Sequence, residues 1–269
     1  MTVIFKAKTP DAYYIKILAE LLSNNIKVAH FEIDSTGIRL CMMDAHRTIL
    51  VDVVLPSENF YTYKYKHKSD KIYIGINLSH FHQMLRTIKK KDKLQLYIDD
   101  NAPTKLAIKV IPKENNRITT SFVTIQTVQE LDIDLPQITE RPIIVSSSEF
   151  QKMIKDMNSI GRTIKVRSRH SKIEFKCEND KILERIVEFG EIDQSDGEYE
   201  SDDDEEYNQE FSTEQFNRIT KFSGLNGTLK IYPGNPLIFR SQVGSLGTIS
   251  IFIKSKEQIE ADKAIDADY

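Results

Sequence analysis

The sequence predicts an α+β protein of two tandem, similar domains, each built from a repeated unit of one helix followed by strands. Three observations carry this. Amphipathic helices begin near Pro10, Ser79, Ser147 and Ser212, about 65 to 70 residues apart. Most of the sequence between them alternates apolar and polar residues, as half-buried strands do. The stretch QTVQELDIDLPQITERP has no helical period, holds Pro136 and Pro142, and reads as an extended connector. The expected division is therefore an N-terminal domain over 1–125, a connector over 126–141 and a C-terminal domain over 142–269.

The helices are justified in order. Thr9 stands as N-cap and Pro10 as first residue of the first helix, which packs Tyr14, Ile17, Leu18, Leu21 and Leu22. Lys16 faces out, and Lys27 lies beyond the end. The second packs Phe81, Met84, Leu85 and Ile88, leaving His80, His82, Arg86 and Lys89–Lys91 outside. In the third, Ser146 and Glu149 have capping-box spacing, and Phe150, Met153, Ile154 and Met157 form one apolar stripe. Lys152 and Lys155 lie off that stripe, with Arg162 after the end. The fourth repeats the box with Ser212 and Gln215, packs Phe216, Ile219 and Phe222, and exposes Arg218 and Lys221. Outward Lys and Arg on any one helix need serve only solubility. Four such helices at equivalent points of a repeat point to a basic surface for a polyanion.

The strands fit the repeat. KVAHFEI and GIRLCMM flank a DSTG turn after the first helix, and TIKVRSR with SKIEFKC makes the equivalent hairpin after the third. KLQLYI and KLAIKVI follow the second helix; TLKIY and PLIFRS follow the fourth.

Charge is unevenly distributed. Segment 191–210 holds eleven Asp or Glu and no Lys or Arg, so the overall −3 becomes +8 for the remainder. That segment lacks the apolar content to bury itself and reads as a solvated acidic loop spanning 190–210. The rest of the chain has the sign a nucleic-acid partner requires. At 269 residues and 40 % hydrophobic, it suffices for one large or two medium cores. MTVIFKAK is already an alternating strand rather than a signal peptide, and no apolar run reaches the roughly 18 residues that span a bilayer. With only Cys41 and Cys177, a reducing, intracellular setting is expected, with no membrane partner.

Enzymatic chemistry finds no support. Walker, GxGxxG, GxSxG and HExxH patterns are absent. His30, His46, His67, His80, His82 and His170 are scattered, and His80 and His82 diverge at i, i+2 of a helix. The carboxylates of 202–206 lack a calcium-loop pattern. The expectation is a non-enzyme without cofactor, metal or small-molecule substrate.

Several motifs occurring in order carry a family resemblance. They are DSTGIRLxxMD at 34–44, GINLS at 75–79, DLPQ at 134–137, SSEFxxxIxDMxxIG at 147–161, NPLIF at 235–239 and GSLGTISIFI at 244–253. Over essentially its whole length the chain resembles the DNA sliding clamps of the proliferating cell nuclear antigen family, in a divergent form that suits a virus. The resemblance implies two clamp domains with basic helices lining a channel and β-sheets outside, in a head-to-tail homotrimeric ring threaded by double-stranded DNA. It implies a processivity factor for replication and repair, placed in the nucleus, or at a cytoplasmic replication site if viral. By matching positions, Lys155, Lys221 and Arg86 correspond to basic channel residues of the family, Lys152 and Lys16 lie on the same faces, and the expected DNA-binding set is completed by Lys27, Lys89, Lys90, Arg162 and Arg218. Two family channel lysines are Ser23 and Gln83 here.

Partners of the family (DNA polymerase, clamp loader and other proteins bearing a clamp-binding peptide) dock beneath the connector. The pocket that the resemblance implies here is Met43, Arg47, Leu50, Ile133, Leu135, Pro136, Pro236, Phe252 and Ile253. Arg47 replaces a common histidine, and Lys254-Ser255 a common Ala-Pro. Ring closure would pair ITTSFVTI (118–125) with ILERIVEF (182–189), placing Phe122, Thr124, Ile182, Arg185, Ile186 and Val187 at the subunit interface. The alternatives are a checkpoint-type hetero-ring subunit, a monomeric or dimeric viral processivity factor, and, more distantly, an acidic-tract protein-interaction module.

Overall fold

Alternation along the strands sets the architecture of the computed structural model, which describes residues 3–114, 117–138, 141–169, 171–179, 182–190 and 207–267. Two compact units are present. Unit 1 comprises Met1–Asp134, Gly224–Asn226 and Ser241–Ser250; unit 2 comprises Leu135–Ser223, Gly227–Arg240 and Ile251–Tyr269.

In unit 1 the strands are Val3–Thr9 (β1), Val28–Asp34 (β2), Gly37–Met43 (β3), Ile49–Pro56 (β4), Thr62–Tyr65 (β5), Lys71–Asn77 (β6), Lys93–Asp99 (β7), Lys105–Ile111 (β8), Thr119–Thr124 (β9) and Gln126–Thr127 (β10). Helices Ala12–Ser23 (α1) and Leu78–Leu85 (α2) pack on each other. One sheet runs β5-β1-β7-β8-β9, and β10-β6-β2-β3-β4 forms a second run. Between them lies the core, with Phe5, Leu96 and Leu106 from the first sheet, Phe31, Ile33 and Ile76 from the second, and Leu18, Leu22 and Phe81 from the helices.

In unit 2 the strands are Ile143–Ser146 (β11), Thr163–Arg169 (β12), Lys172–Asn179 (β13), Leu183–Gly190 (β14), Tyr207–Ser212 (β15) and Thr228–Tyr232 (β16). Leu237–Gln242 (β17) and Thr248–Ile253 (β18) follow, with Leu237–Arg240 and Ile251–Ile253 in this unit. The helices are Ser147–Asn158 (α3), Thr213–Arg218 (α4) and Lys256–Ala267 (α5), with a 3-10 turn over Thr220–Gly224. One sheet is β14-β13-β12-β15, and β18-β17-β16-β11 is the second run. Phe150, Phe175, Phe211, Phe216 and Phe239 are buried together, with ring centroids 5.4 to 6.4 Å apart.

Helix starts follow local chemistry. Ser146 Oγ accepts from Glu149 N, and Ser212 with Gln215 closes a full capping box. The first helix differs from the expectation. It starts at Ala12, because Thr9 finishes β1 and its Oγ1 instead accepts from Asp11 N at 2.9 Å. The fourth is a six-residue α-helix continued by the 3-10 turn, which still buries Ile219 and Phe222.

Helix α5 was not expected. Its signal is a second full capping box: Gln258 N donates to Ser255 Oγ at 3.2 Å, and Ser255 N to Gln258 Oε1 at 3.0 Å. The helix lies against β15, with Gln209 Nε2 donating to Glu257 Oε2. The acidic loop is also shorter than expected. Gly190 closes β14, and Tyr207–Glu210 belong to β15, held by pairing of Tyr207 with Ser168 and Glu210 with Lys165. Its remainder, 191–206, lies outside the described residues, as does His170.

Candidate nucleic-acid interface

The basic helical residues divide into engaged and open groups. Lys16, expected to face out, is half-buried, and its Nζ donates to the carbonyls of Arg86 at 2.8 Å and Ile88 at 3.2 Å. It satisfies carbonyls left over where α2 ends. Its ammonium lies 6.0 Å from the centre of the Tyr13 ring, and that of Lys90 lies 5.7 Å away, so one aromatic face serves two cations. Arg86, Lys89 and Lys90 are exposed around this end of unit 1, and Lys27 is exposed near the start of α2, where its carbonyl accepts from Leu78 N at 3.0 Å. Ser23 donates to the Glu20 carbonyl, and Gln83 is exposed.

In unit 2, Lys152, Lys155 and Arg162 are exposed, as expected. Lys152 has a loose contact with Glu149 at 3.8 Å, which in solvent is worth little. Arg218 and Lys221 are half-buried, and Arg218 is 2.7 Å from Glu214 one helical turn back. Their expected exposure is corrected: the short helix and 3-10 turn draw both toward the body of the unit.

β9 and β14 each lie at one edge of their sheet and carry open apolar residues. Phe122 is 58 % exposed, Ile182 82 % and Ile186 47 %, while Thr124 is exposed and Val187 half-buried. Unpaired edges bearing such residues template strand addition. Arg185 is paired within its own chain, to Asp156 of α3.

Of the residues expected to hold a partner peptide, Met43, Arg47 and Leu135 are exposed, and Ile133, Pro136 and Pro236 half-buried. Leu50, Phe252 and Ile253 are buried, and Ile253 is fully enclosed, so it belongs to the core of unit 2 rather than to an accessible surface. Arg47 takes a left-handed backbone (φ 56°) in the turn that Asp44 closes by accepting from Thr48 N and Ile49 N. Burial, reinforced by the Asp52 carboxylate, pushes the half-buried Cys41 thiol up to about 11. Among the described residues no group of three or more His, Cys, Asp or Glu is placed to hold a metal ion.

The chain was compared with known proteins. Residues 4–135 match the family model for the proliferating cell nuclear antigen N-terminal domain, and 137–260 match that for the C-terminal domain. A probable DNA polymerase sliding clamp 1 of Paramecium bursaria Chlorella virus 1 is 25 % identical, covering 93 % of this chain and 96 % of the relative. The proliferating cell nuclear antigen of Chaetomium thermophilum is 22 % identical, covering 94 % and 98 % respectively. The crystal structure of this antigen from Entamoeba histolytica superposes with a TM-score of 0.80 at 19 % identity, covering 95 % of this chain and all of that one. That likeness establishes the fold: tandem clamp domains of helices and antiparallel strands. With both domain models matched in order over nearly every residue, the chain belongs to the proliferating cell nuclear antigen family.

Proposed function

We infer that this protein is a DNA sliding clamp, a processivity factor that encircles duplex DNA and tethers replication enzymes to it. The carrying observation is the pair of clamp domains matched over 4–135 and 137–260. The open cations Lys27, Arg86, Lys89, Lys90, Lys152, Lys155 and Arg162 support it. Phosphate contacts from such residues give affinity without sequence readout, and their strength falls steeply with salt. Lys16, Arg218 and Lys221 act as a supporting layer behind them.

The ring is a head-to-tail homotrimer closed by β9 of one copy against β14 of the next, with Phe122, Thr124, Ile182, Ile186 and Val187 at the seam. Partner proteins, a DNA polymerase and clamp loader among them, dock through an aromatic-anchored peptide, for which Met43, Arg47, Ile133, Leu135, Pro136 and Pro236 are the candidate contacts. The family is non-catalytic in general, and this chain is read as a non-enzyme. It works in the nucleus, or at a viral replication site. Retention by topology tests the reading: loaded onto nicked circular plasmid by a clamp loader, the protein should stay through a high-salt wash and leave when the circle is cut. Equal loss from circle and line would refute it.

A further inference from the structure

The five-stranded sheet of unit 1 buries one face through Phe5, Ala7, Leu94, Leu96, Ile98, Leu106 and Ile108. The register fixes what stands on the other. Lys6 pairs with Lys64 and Tyr97, Lys8 with Thr62 and Gln95, Gln95 with Lys109, and Lys93 and Lys105 continue the same alternation. Thus Lys6, Lys8, Lys64, Lys93, Lys105 and Lys109 share one sheet face, and Asp99 brings the one carboxylate to it. None of the six is ion-paired among the described residues.

The matching sheet of unit 2 is an internal control. There Lys165, Arg167 and Lys176 are interleaved with Glu174, Glu184, Glu188 and Glu210. Lys176 lies 3.1 Å from Glu184 and 3.5 Å from Glu178. Solubility is thus served by balanced charge on one sheet, whereas the charged residues of the other face are lysines with the single exception of Asp99. Aromatic surface accompanies it: Tyr97 stands in the middle of the array, and Tyr61, 77 % exposed, lies 5.4 Å below the Lys8 ammonium.

We propose that this sheet face is a second nucleic-acid site, binding single-stranded DNA or RNA without sequence preference. Same-face residues along a strand repeat at about 6.7 Å and neighbouring strands at about 4.8 Å, so an extended backbone meets several ammonium groups at once. Tyr61 and Tyr97 offer stacking surfaces to bases, the combination that single-strand binders use. The proposal goes beyond the clamp reading: the helices do not enter it, and the face adjoins the proposed ring seam only at its β9 edge, where Thr124 pairs with Lys105.

The test is fluorescence anisotropy of a labelled thirty-nucleotide oligo-dT with the full-length chain across a salt series. Changing Lys6, Lys64 and Lys109 together to Glu should weaken binding at least tenfold. Changing them to Gln should flatten the slope of log affinity against log salt by about 2, three phosphate contacts at roughly 0.7 each. Lys165→Glu, on the charge-balanced sheet of unit 2, should leave oligo-dT binding unchanged, and thermal melting should show every variant folded. Equal affinity of wild type and the folded sheet variants would overturn the proposal. So would failure of wild type to bind oligo-dT while a peptide of residues 191–206 binds in a manner the sheet variants abolish, which would assign the face to the chain's own acidic segment.

Discussion

Replacing Phe122 by Asp should open the ring while sparing the fold. Phe122 stands on edge strand β9 with 58 % of its surface exposed. Burying a whole Phe side chain stabilises by about 1.5–3 kcal/mol, so covering the exposed portion with a neighbouring copy contributes roughly 1–2 kcal/mol at each interface. An aspartate there forfeits that and adds a carboxylate to be desolvated, which costs at least the about 1–3 kcal/mol that a neutral polar group does on protein-derived scales. A loss near 3 kcal/mol raises the dissociation constant of each interface by roughly two orders of magnitude. Within one chain the change is at an exposed edge and should cost little. Light scattering over a dilution series is the assay: wild type should hold three times the 31.1 kDa chain mass where the variant has fallen to one. Superimposable mass curves from a folded variant would refute closure through β9.

Other expectations follow from the same geometry. Lys152→Glu with Lys155→Glu should leave the assembled mass unchanged and reduce duplex loading at least tenfold at low salt; undiminished loading would remove α3 from the DNA path. Leu135→Ala, at a position 45 % exposed, should weaken binding of a clamp-binding peptide about tenfold without changing mass, measured by calorimetry. Phe216→Ala, removing the ring surrounded by Phe150, Phe175, Phe211 and Phe239, should cost about 3–5 kcal/mol in urea unfolding. Because burial raises the Cys41 thiol from 9.0 to about 11, its proton is held more tightly in the folded chain. The stability it contributes is therefore full below pH 9 and lost as pH rises through 11, and Cys41→Ala should reduce that alkaline decline.

Much of the fold was legible because the family-bearing motifs are also turn and cap chemistry. In DSTG, Asp34 Oδ1 accepts from Thr36 N at 2.6 Å and Gly37 N at 3.0 Å, tightening the β2–β3 turn. The hydroxyl of Tyr63 lies 2.7 and 2.6 Å from the carbonyls of Asp34 and Gly37, tying that turn to the other sheet. In GSLG, Gly244 takes φ 56° in a loop where a side chain would strike the Tyr14 ring. Such signals are local, so single-sequence reading recovers them. Helix α5 carried the same kind of signal at Ser255 and Gln258, but its mostly polar sequence shows no strong apolar stripe. What reading by helical period missed was tertiary: the carbonyls that occupy Lys16, the turn that ends α4 early, and the partner of Arg185 all depend on residues distant in sequence or on backbone that bends.

These corrections bear on how a clamp can hold DNA and still move. Charge read from the sequence overstates the open cations of the helices, because Lys16 caps α2 and Arg218 answers Glu214. The helix residues left open are long, solvated side chains, whose phosphate contacts are individually weak and screened by salt. Their surfaces therefore suit transient contact along a duplex, while lasting attachment must come from closing the ring. In the closure proposed above, the tighter energetic demand falls on the apolar edges β9 and β14. There the chain leaves Phe122, Ile182 and Ile186 uncovered, and a second copy seated on them would remove that surface from water.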